Sequence, residues 1–210
     1  MYTISYFKAK NQEDVLAFMQ AHPFVVLCGA DSNGMPVATH LPVLIKERNG
    51  KMFLQAHSMR KQAHTVAFEK NQQVLAIFHG AHGYISAQHY EPQNTAGTWN
   101  YSAVHANGTL RLLDEDGLYQ LLEELTSHFE GGSHTPASMS LMSKEYIRDN
   151  MKAIVAFEIE VTDLNHVFKL SQNKPEKTKL QIIQHLEKGT PENKALADAM
   201  KKNLSDHSNH

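Results

Sequence analysis

Apolar and polar positions alternate along much of the first half of the chain, with short turn signals between the runs. The run Phe24–Ala30 reads as a buried strand. Asp31-Ser32-Asn33-Gly34 is a strong turn signal, and Met35–Lys46 reads as the return strand. Arg48-Asn49-Gly50 turns the chain into Lys51–Ala56. Gln73–Phe78 and Gly83–Ala87 read as two further strands, and Thr98–Leu113 as two more or one long bent one. Helical spacing appears at Asn11–Ala21, where Asn11 can cap and Glu13 and Asp14 suit the positive end. Ser58–Glu69 reads as a short helix. Leu118, Leu121, Leu122, Leu125 and Phe129 form one apolar stripe, ended by Gly131-Gly132. Ser140–Asn150 is helix-like, and Ala153–Val161 returns to strand. A shorter strand-like run passes through Val167-Phe168, and Pro175 introduces two helical segments. The first spans Glu176–Lys188; the second spans Pro191–Asn203, with Thr190 as its cap. Meandering strands with short turns, followed by late helices, predict an antiparallel barrel with helical decoration and exclude a parallel βαβ sheet.

The 210 residues are 41% hydrophobic, enough for one large domain with a real core. The formal net charge of -2 removes any global basic field for nucleic acid. The one cysteine, Cys28, lies inside an apolar strand and reads as a small core residue. It cannot form a disulfide within the chain, which fits a reducing compartment. The N-terminus lacks a signal-peptide pattern, and no apolar run approaches membrane-spanning length. The expectation is a cytoplasmic protein without membrane contact. Fourteen histidines are present, yet none has a signature spacing with Cys or Glu, so no metal site is expected.

Two segments concentrate chemistry. Trp99, Asn100 and Tyr101 put an indole, an amide and a phenol in one short run that suits the wall of a pocket for a flat ligand. It follows a loop containing Pro92, Gln93 and Asn94. The same run also reads as a strand with aromatic cross-strand pairs. Lys169-Leu170-Ser171-Gln172-Asn173-Lys174 packs ammonium, hydroxyl and amide groups ahead of Pro175, so it can present donors to carbonyl or phosphate oxygens. It reads equally as an ordinary polar loop.

The chain resembles the PaiB-type FMN-binding negative transcriptional regulators of the FMN-binding split-barrel superfamily. The resemblance runs through His22-Pro23-Phe24, Gly34 with Pro36, Ala38-Thr39-His40-Leu41-Pro42 and His57 with Arg60. It continues through Tyr84-Ile85-Ser86, Thr98-Trp99-Asn100-Tyr101 with Val104-His105, and Lys169-Leu170-Ser171-Gln172-Asn173. The chain departs from the family pattern at Gly97, where the family usually has proline, at Ala87-Gln88-His89, and at Ser58-Met59-Arg60-Lys61-Gln62. The resemblance implies a mainly β fold with helices: a six-stranded antiparallel Greek-key split barrel of the FMN-binding type. Residues 1–175 would form this barrel with its inserted helices, and 176–210 a helical extension packed on it. It also implies a homodimer with FMN in a groove between the subunits.

FMN carries a dianionic phosphate, a polar ribityl chain and a flat ring. Its phosphate calls for cations and a hydroxyl near a helix start. Ala56 and His57 lead into Ser58, Arg60 and Lys61, which supply these groups; a solvated basic turn is the plainer reading. Thr39, His40, Leu41 and Pro42 would offer an edge strand to the ring, Pro42 marking a position where the ladder is broken. His40 reads equally as a strand histidine paired within the barrel. Trp99, Asn100 and Tyr101 with Lys169, Ser171 and Gln172 would close the pocket from the partner subunit, Lys169 serving as the cation beside the pyrimidine edge.

Three functions compete at this point. The first is an FMN-binding regulator, with DNA as its partner although no DNA-binding motif is visible. The second is an FMN-dependent oxidoreductase, of the flavin reductase or pyridoxamine-phosphate-oxidase kind, for which no catalytic acid or base stands out. The third is a haem-binding split-barrel protein. The lysines of the C-terminal part are diluted by Glu176, Glu187, Glu192 and Asp198, which fits a solvated helical face better than a DNA-binding arm.

Overall fold

The computed structural model describes residues 1–90 and 95–205. The Pro92, Gln93 and Asn94 loop and the last residues of the expected extension, 206–210, lie outside them. The chain forms two compact units. The first comprises Met1–His22, His79–Val104 and Asn165–His210; the second comprises Pro23–Phe78 and His105–Leu164.

The second unit opens with β1 (Phe24–Ala30) and β2 (Pro36–Pro42), paired antiparallel from Phe24↔Pro42 to Ala30↔Pro36. The turn between them forms as its sequence predicts. The Asp31 carboxylate accepts from the backbone N–H groups of Asn33 at 2.8 Å and Met35 at 2.9 Å, and Gly34 takes φ 80°. β3 (Leu44–Arg48) and β4 (Lys51–Met59) form the next hairpin. Asn49 at φ 53° and Gly50 at φ 71° give it the two left-handed residues that a tight two-residue turn requires.

The strand order is β2-β1-β5-β6-β7-β4-β3, where β5 is Gln73–Ile85, β6 Thr98–Leu112 and β7 Ile154–Lys169. β1 pairs with β5, and β4 with β7, in antiparallel fashion, like the two hairpins. The two end strands, β2 and β3, are separated in sequence by Val43 alone, so this sheet curls into a half-barrel. Here the count departs from the six strands expected. Met35–Lys46 does not run as one strand. At Val43, whose N–H donates to Pro23 O at 2.9 Å, the chain leaves β1 and takes β4 as its partner. Elsewhere expected pieces merge: β5, β6 and β7 are each one continuous strand.

Helix α2 (Ala63–Lys70) begins five residues later than its sequence suggests. Ser58 and Met59 stay in β4 because β7 holds that ladder through Met59↔Ile154, and the Arg60 N–H extends it to Ala153 O at 2.9 Å. Helices α3 (Glu115–Phe129) and α4 (Lys144–Met151) cover the same unit. The expected stripe of α3 is buried at Leu118, Leu121 and Leu125 and packs with Leu44, Met139, Ile147, Met151 and Ala156. Asp114 caps α3, accepting from Gly117 N–H at 2.9 Å.

The first unit holds α1 (Gln12–Ala21), capped by Asn11 through Asp14 N–H at 2.8 Å, and the tail helices α5 (Glu176–Leu186) and α6 (Pro191–Ser205). Ile182, Ile183, Leu186, Leu196, Ala197 and Met200 from the tail bury themselves with Ile85, Tyr90 and Leu170. Leu180, on the same helix, is exposed. No helix among the described residues is long and apolar enough to cross a membrane.

Candidate functional site

The expected flavin residues divide between the two units, nine in the second and six in the first, and each group has its own geometry. In the second unit, Ala56, His57 and Ser58 lie on β4. Ala56 and Ser58 face the core. The Thr65 hydroxyl donates to Met59 O at 2.8 Å, which leaves Ser58 Oγ to donate to Thr65 Oγ1 at 3.0 Å. Ser58 therefore already has a partner within the chain. His57 is partly buried, its Nδ1 has no partner among the described residues, and burial pushes its pKa below the usual histidine range, so the ring is neutral at pH 7. Arg60 and Lys61 are both exposed in the turn that leads into α2. Arg60 uses one guanidinium nitrogen on Ile154 O at 2.8 Å, which fixes the side chain and leaves other N–H groups to donate. Gln62, the N-cap of α2, makes no side-chain cap bond, so the positive helix start stands beside these two cations.

Thr39, His40, Leu41 and Pro42 lie on β2, which ends the strand order and so carries one edge outside the ladder. α2 leans on both β1 and β2, and β2 also touches β4. The 39–42 and 56–61 groups both belong to this unit. His40 is exposed and stacks on Phe24 with ring centroids 6.2 Å apart and planes at 27°. Phe24, at 64% exposure, forms an aromatic platform that sequence reasoning did not assign to the site. Its signal was local: a large ring opening a strand directly opposite Pro42.

In the first unit, Trp99, Asn100 and Tyr101 lie on β6, and Lys169 at the end of β7 leads into Ser171 and Gln172. Trp99 is 56% exposed, stacked on His82 at 6.3 Å and met edge-on by Tyr84 at 6.1 Å. Asn100 is fully buried. Its Nδ2 donates to Ser171 Oγ at 2.9 Å and to Met200 Sδ at 3.6 Å, and Ser171 Oγ donates back to Asn100 Oδ1 at 3.2 Å. Ser171 takes φ 64°, and the Gln172 side chain folds back onto Leu170 N–H at 2.8 Å and Phe168 O. The segment is therefore a locked hook. Lys169 Nζ donates to Thr98 Oγ1 and lies 5.8 Å from the Tyr2 ring; burial lowers its pKa. Tyr101 is half-buried, and burial and then the neighbouring Tyr2 raise its pKa. Thr98 and Tyr2 are the partners of Lys169 that its sequence context did not reveal.

The curled antiparallel sheet with its covering helices has the split-barrel fold. Similar solved structures include the conserved hypothetical protein Rv2991 from Mycobacterium tuberculosis, with TM-score 0.59 at 12% identity, covering 84% of this chain and 95% of that one. The FAD and heme binding protein from Mycobacterium smegmatis gives TM-score 0.58 at 16% identity, covering 77% of this chain and 72% of that one.

Residues 1–163 match the family described as "Putative FMN-binding domain", and the chain belongs to that family, in its PaiB-type branch. It is 32% identical over 205 residues to "Protease synthase and sporulation protein PAI 2" of Bacillus subtilis (strain 168), a span of 97% of this chain and 98% of the relative. The cofactor of the family is FMN.

Proposed function

We propose that this chain binds FMN as a homodimer and serves a regulatory role of the PaiB type. The observation that carries the reading is the pair of exposed cations, Arg60 and Lys61, at the side-chain-uncapped start of α2. A dianionic phosphate there meets two charges and free helical N–H groups. The free edge of β2 at Thr39–Pro42 supplies backbone groups for the ring's polar rim, and His40 with Phe24 supplies a stacking surface. FMN, when bound, supplies one- and two-electron redox chemistry.

Trp99, Tyr101, Lys169 and Gln172 of a second copy would close the site, held in place by the buried Asn100–Ser171 pair. Large apolar side chains exposed on each unit support such an interface, Phe24, Met35 and Met59 on one and Tyr84 and Trp99 on the other. The likeness to the B. subtilis sporulation protein along nearly the whole chain supports the regulatory reading. Within the tail, Lys201 is paired with Glu187 at 2.5 Å and Asp198 at 3.3 Å, which supports a solvated helical face there and not a DNA-gripping arm.

Light scattering of the FMN-saturated protein, with flavin absorbance read on the same peak, tests the assembly. The expected result is a dimer mass with one flavin per chain. A monomer that retains one flavin per chain would remove the shared site, and a peak without flavin would remove the reading.

A further inference from the structure

A groove of about 930 Å3 lies within the first unit. Ala17 and Ala21 on α1 and Ala195 and Ala199 on α6 give it two shallow sides, and Lys8, Ala9 and Lys10 give it another. These last three residues form a strap with two fixed ends. Phe7, buried at the end of the 3-10 turn Ser5–Phe7, anchors one end. The start of α1, capped by Asn11, anchors the other. Between the anchors, two bonds tie the strap to His166 on β7. The Ala9 N–H donates to His166 Nε2 at 2.8 Å, and the Lys8 ammonium donates to His166 O at 2.7 Å.

A backbone N–H can only donate, so the Ala9 bond fixes the tautomer of the ring. Nε2 is bare, and the ring proton sits on Nδ1. Protonation would place a hydrogen on Nε2 facing the Ala9 N–H, donor against donor. It would also bring a positive charge beside the Lys8 ammonium. Both changes oppose the strap's contacts. Burial, and then the Lys8 charge, hold the His166 pKa below its ordinary value of 6.5, so the latched ring is neutral at pH 7. Because the latched value is the depressed one, the contact is complete above 6.5 and is lost as pH falls through the lower latched value. The other charged or titratable groups around the groove are Asp14 on α1, His22 just after it, His79 and His82 on β5, and Glu192 and Lys202 on α6, with Lys10 on the strap itself. We infer that His166 is a proton-operated latch: when neutral it holds the Lys8–Lys10 strap as a wall of the groove, and when protonated it lets the strap go.

Amide hydrogen exchange of the full chain at single-residue resolution, followed from about pH 8 to about pH 5 and corrected for the intrinsic rate, tests this. The Ala9 amide should be protected at the upper end and lose about tenfold or more of that protection as pH falls below 6.5. The amides of β6 around Asn100 should stay protected throughout. Nitrogen-15 shifts of the His166 ring should show the proton on Nδ1 at about pH 8. His166→Gln offers an amide oxygen in place of Nε2 and does not titrate, so it should keep Ala9 protected down to about pH 5. His166→Ala should leave Ala9 unprotected at every pH, with thermal melting at about pH 8 confirming the fold. Four results would overturn the inference: a ring proton on Nε2 at about pH 8, protection of Ala9 that ignores pH in the parent chain, loss of β6 protection together with that of Ala9, or a glutamine variant that opens as the parent does. The last would assign the release to another imidazole, such as His22. The exchange is read without flavin, so a failure of the latch and a failure of the FMN reading are separate results.

Discussion

Asn100 and Ser171, 71 positions apart in sequence, satisfy each other inside the first unit. The amide donates at 2.9 Å, and the hydroxyl returns a bond at 3.2 Å. Both side chains are buried, so neither can exchange its partner for water. The pair ties β6 to the segment after β7 at the point where Trp99 and Lys169 emerge. It converts two flexible polar stretches into one fixed surface.

Breaking that pair should be costly. Asn100→Ala leaves the Ser171 hydroxyl without its partner and is expected to cost about 1–3 kcal/mol, read as a shift in the denaturation midpoint. Ser171 adds a backbone test, since its φ of 64° favours glycine. Ser171→Gly should therefore be less destabilising than Ser171→Ala, although both lose the bond. The reverse order would mean that the backbone there relaxes freely.

A second buried group predicts a pH response. The Glu158 side chain has no exposed surface in the second unit. Burial opposes its charge, but hydrogen bonds from Arg48 at 2.5 Å, Arg111 at 2.6 Å and Gln55 at 2.8 Å outweigh it and hold the carboxyl below its ordinary value of 4.5. Because the folded pKa is depressed, the stabilisation is complete above the ordinary value and is lost as pH falls through the lower folded value. Glu158→Gln should flatten the acid limb of a stability-versus-pH curve below about pH 4.5. Arg48→Ala combined with Arg111→Ala strands a buried carboxylate. It should cost about 3 kcal/mol, the low end of the range because both arginines are half-exposed.

The tail carries a third prediction. Ile182, Ile183, Leu186, Leu196 and Met200 are buried against Ile85, Tyr90 and Leu170. Met200 also accepts a bond from Asn100. Met200→Ala should cost about 2–5 kcal/mol, and deletion of 176–210 should lower both stability and FMN affinity. A truncated chain that melts normally and keeps full flavin affinity would show the tail to be an independent arm.

Local signals were legible in the sequence: the Asn11 cap, the Asp31–Gly34 and Asn49-Gly50 turns and the α3 stripe from Leu118 to Leu125 formed where side-chain chemistry placed them, with Phe129 left exposed. Properties fixed by distant partners were not. Ser58 reads as a helix start, yet it stays in β4 because Ile154 and Val155 hold the ladder from about a hundred residues away. The gap at His79–His82 hid one continuous β5, because Gly80 is buried under Phe18 and His22 and interrupts the apolar alternation. The groove had no sequence signature, since its alanines sit on helices at opposite ends of the chain. For the flavin residues, sequence supplied the types, but the structure showed that Ser58 and Asn100 already hold partners within the chain.

Arg60 and Lys61 are proposed to hold the phosphate of FMN. Fluorescence titration of FMN against riboflavin, in the parent chain and in Lys61→Ala, tests it most directly. Riboflavin has the same ring but no phosphate. The parent chain should bind FMN at least about tenfold more tightly than riboflavin, and Lys61→Ala should lose most of that preference while its riboflavin affinity stays unchanged. Equal affinity of the parent chain for the two flavins would show that Arg60 and Lys61 do not hold the phosphate.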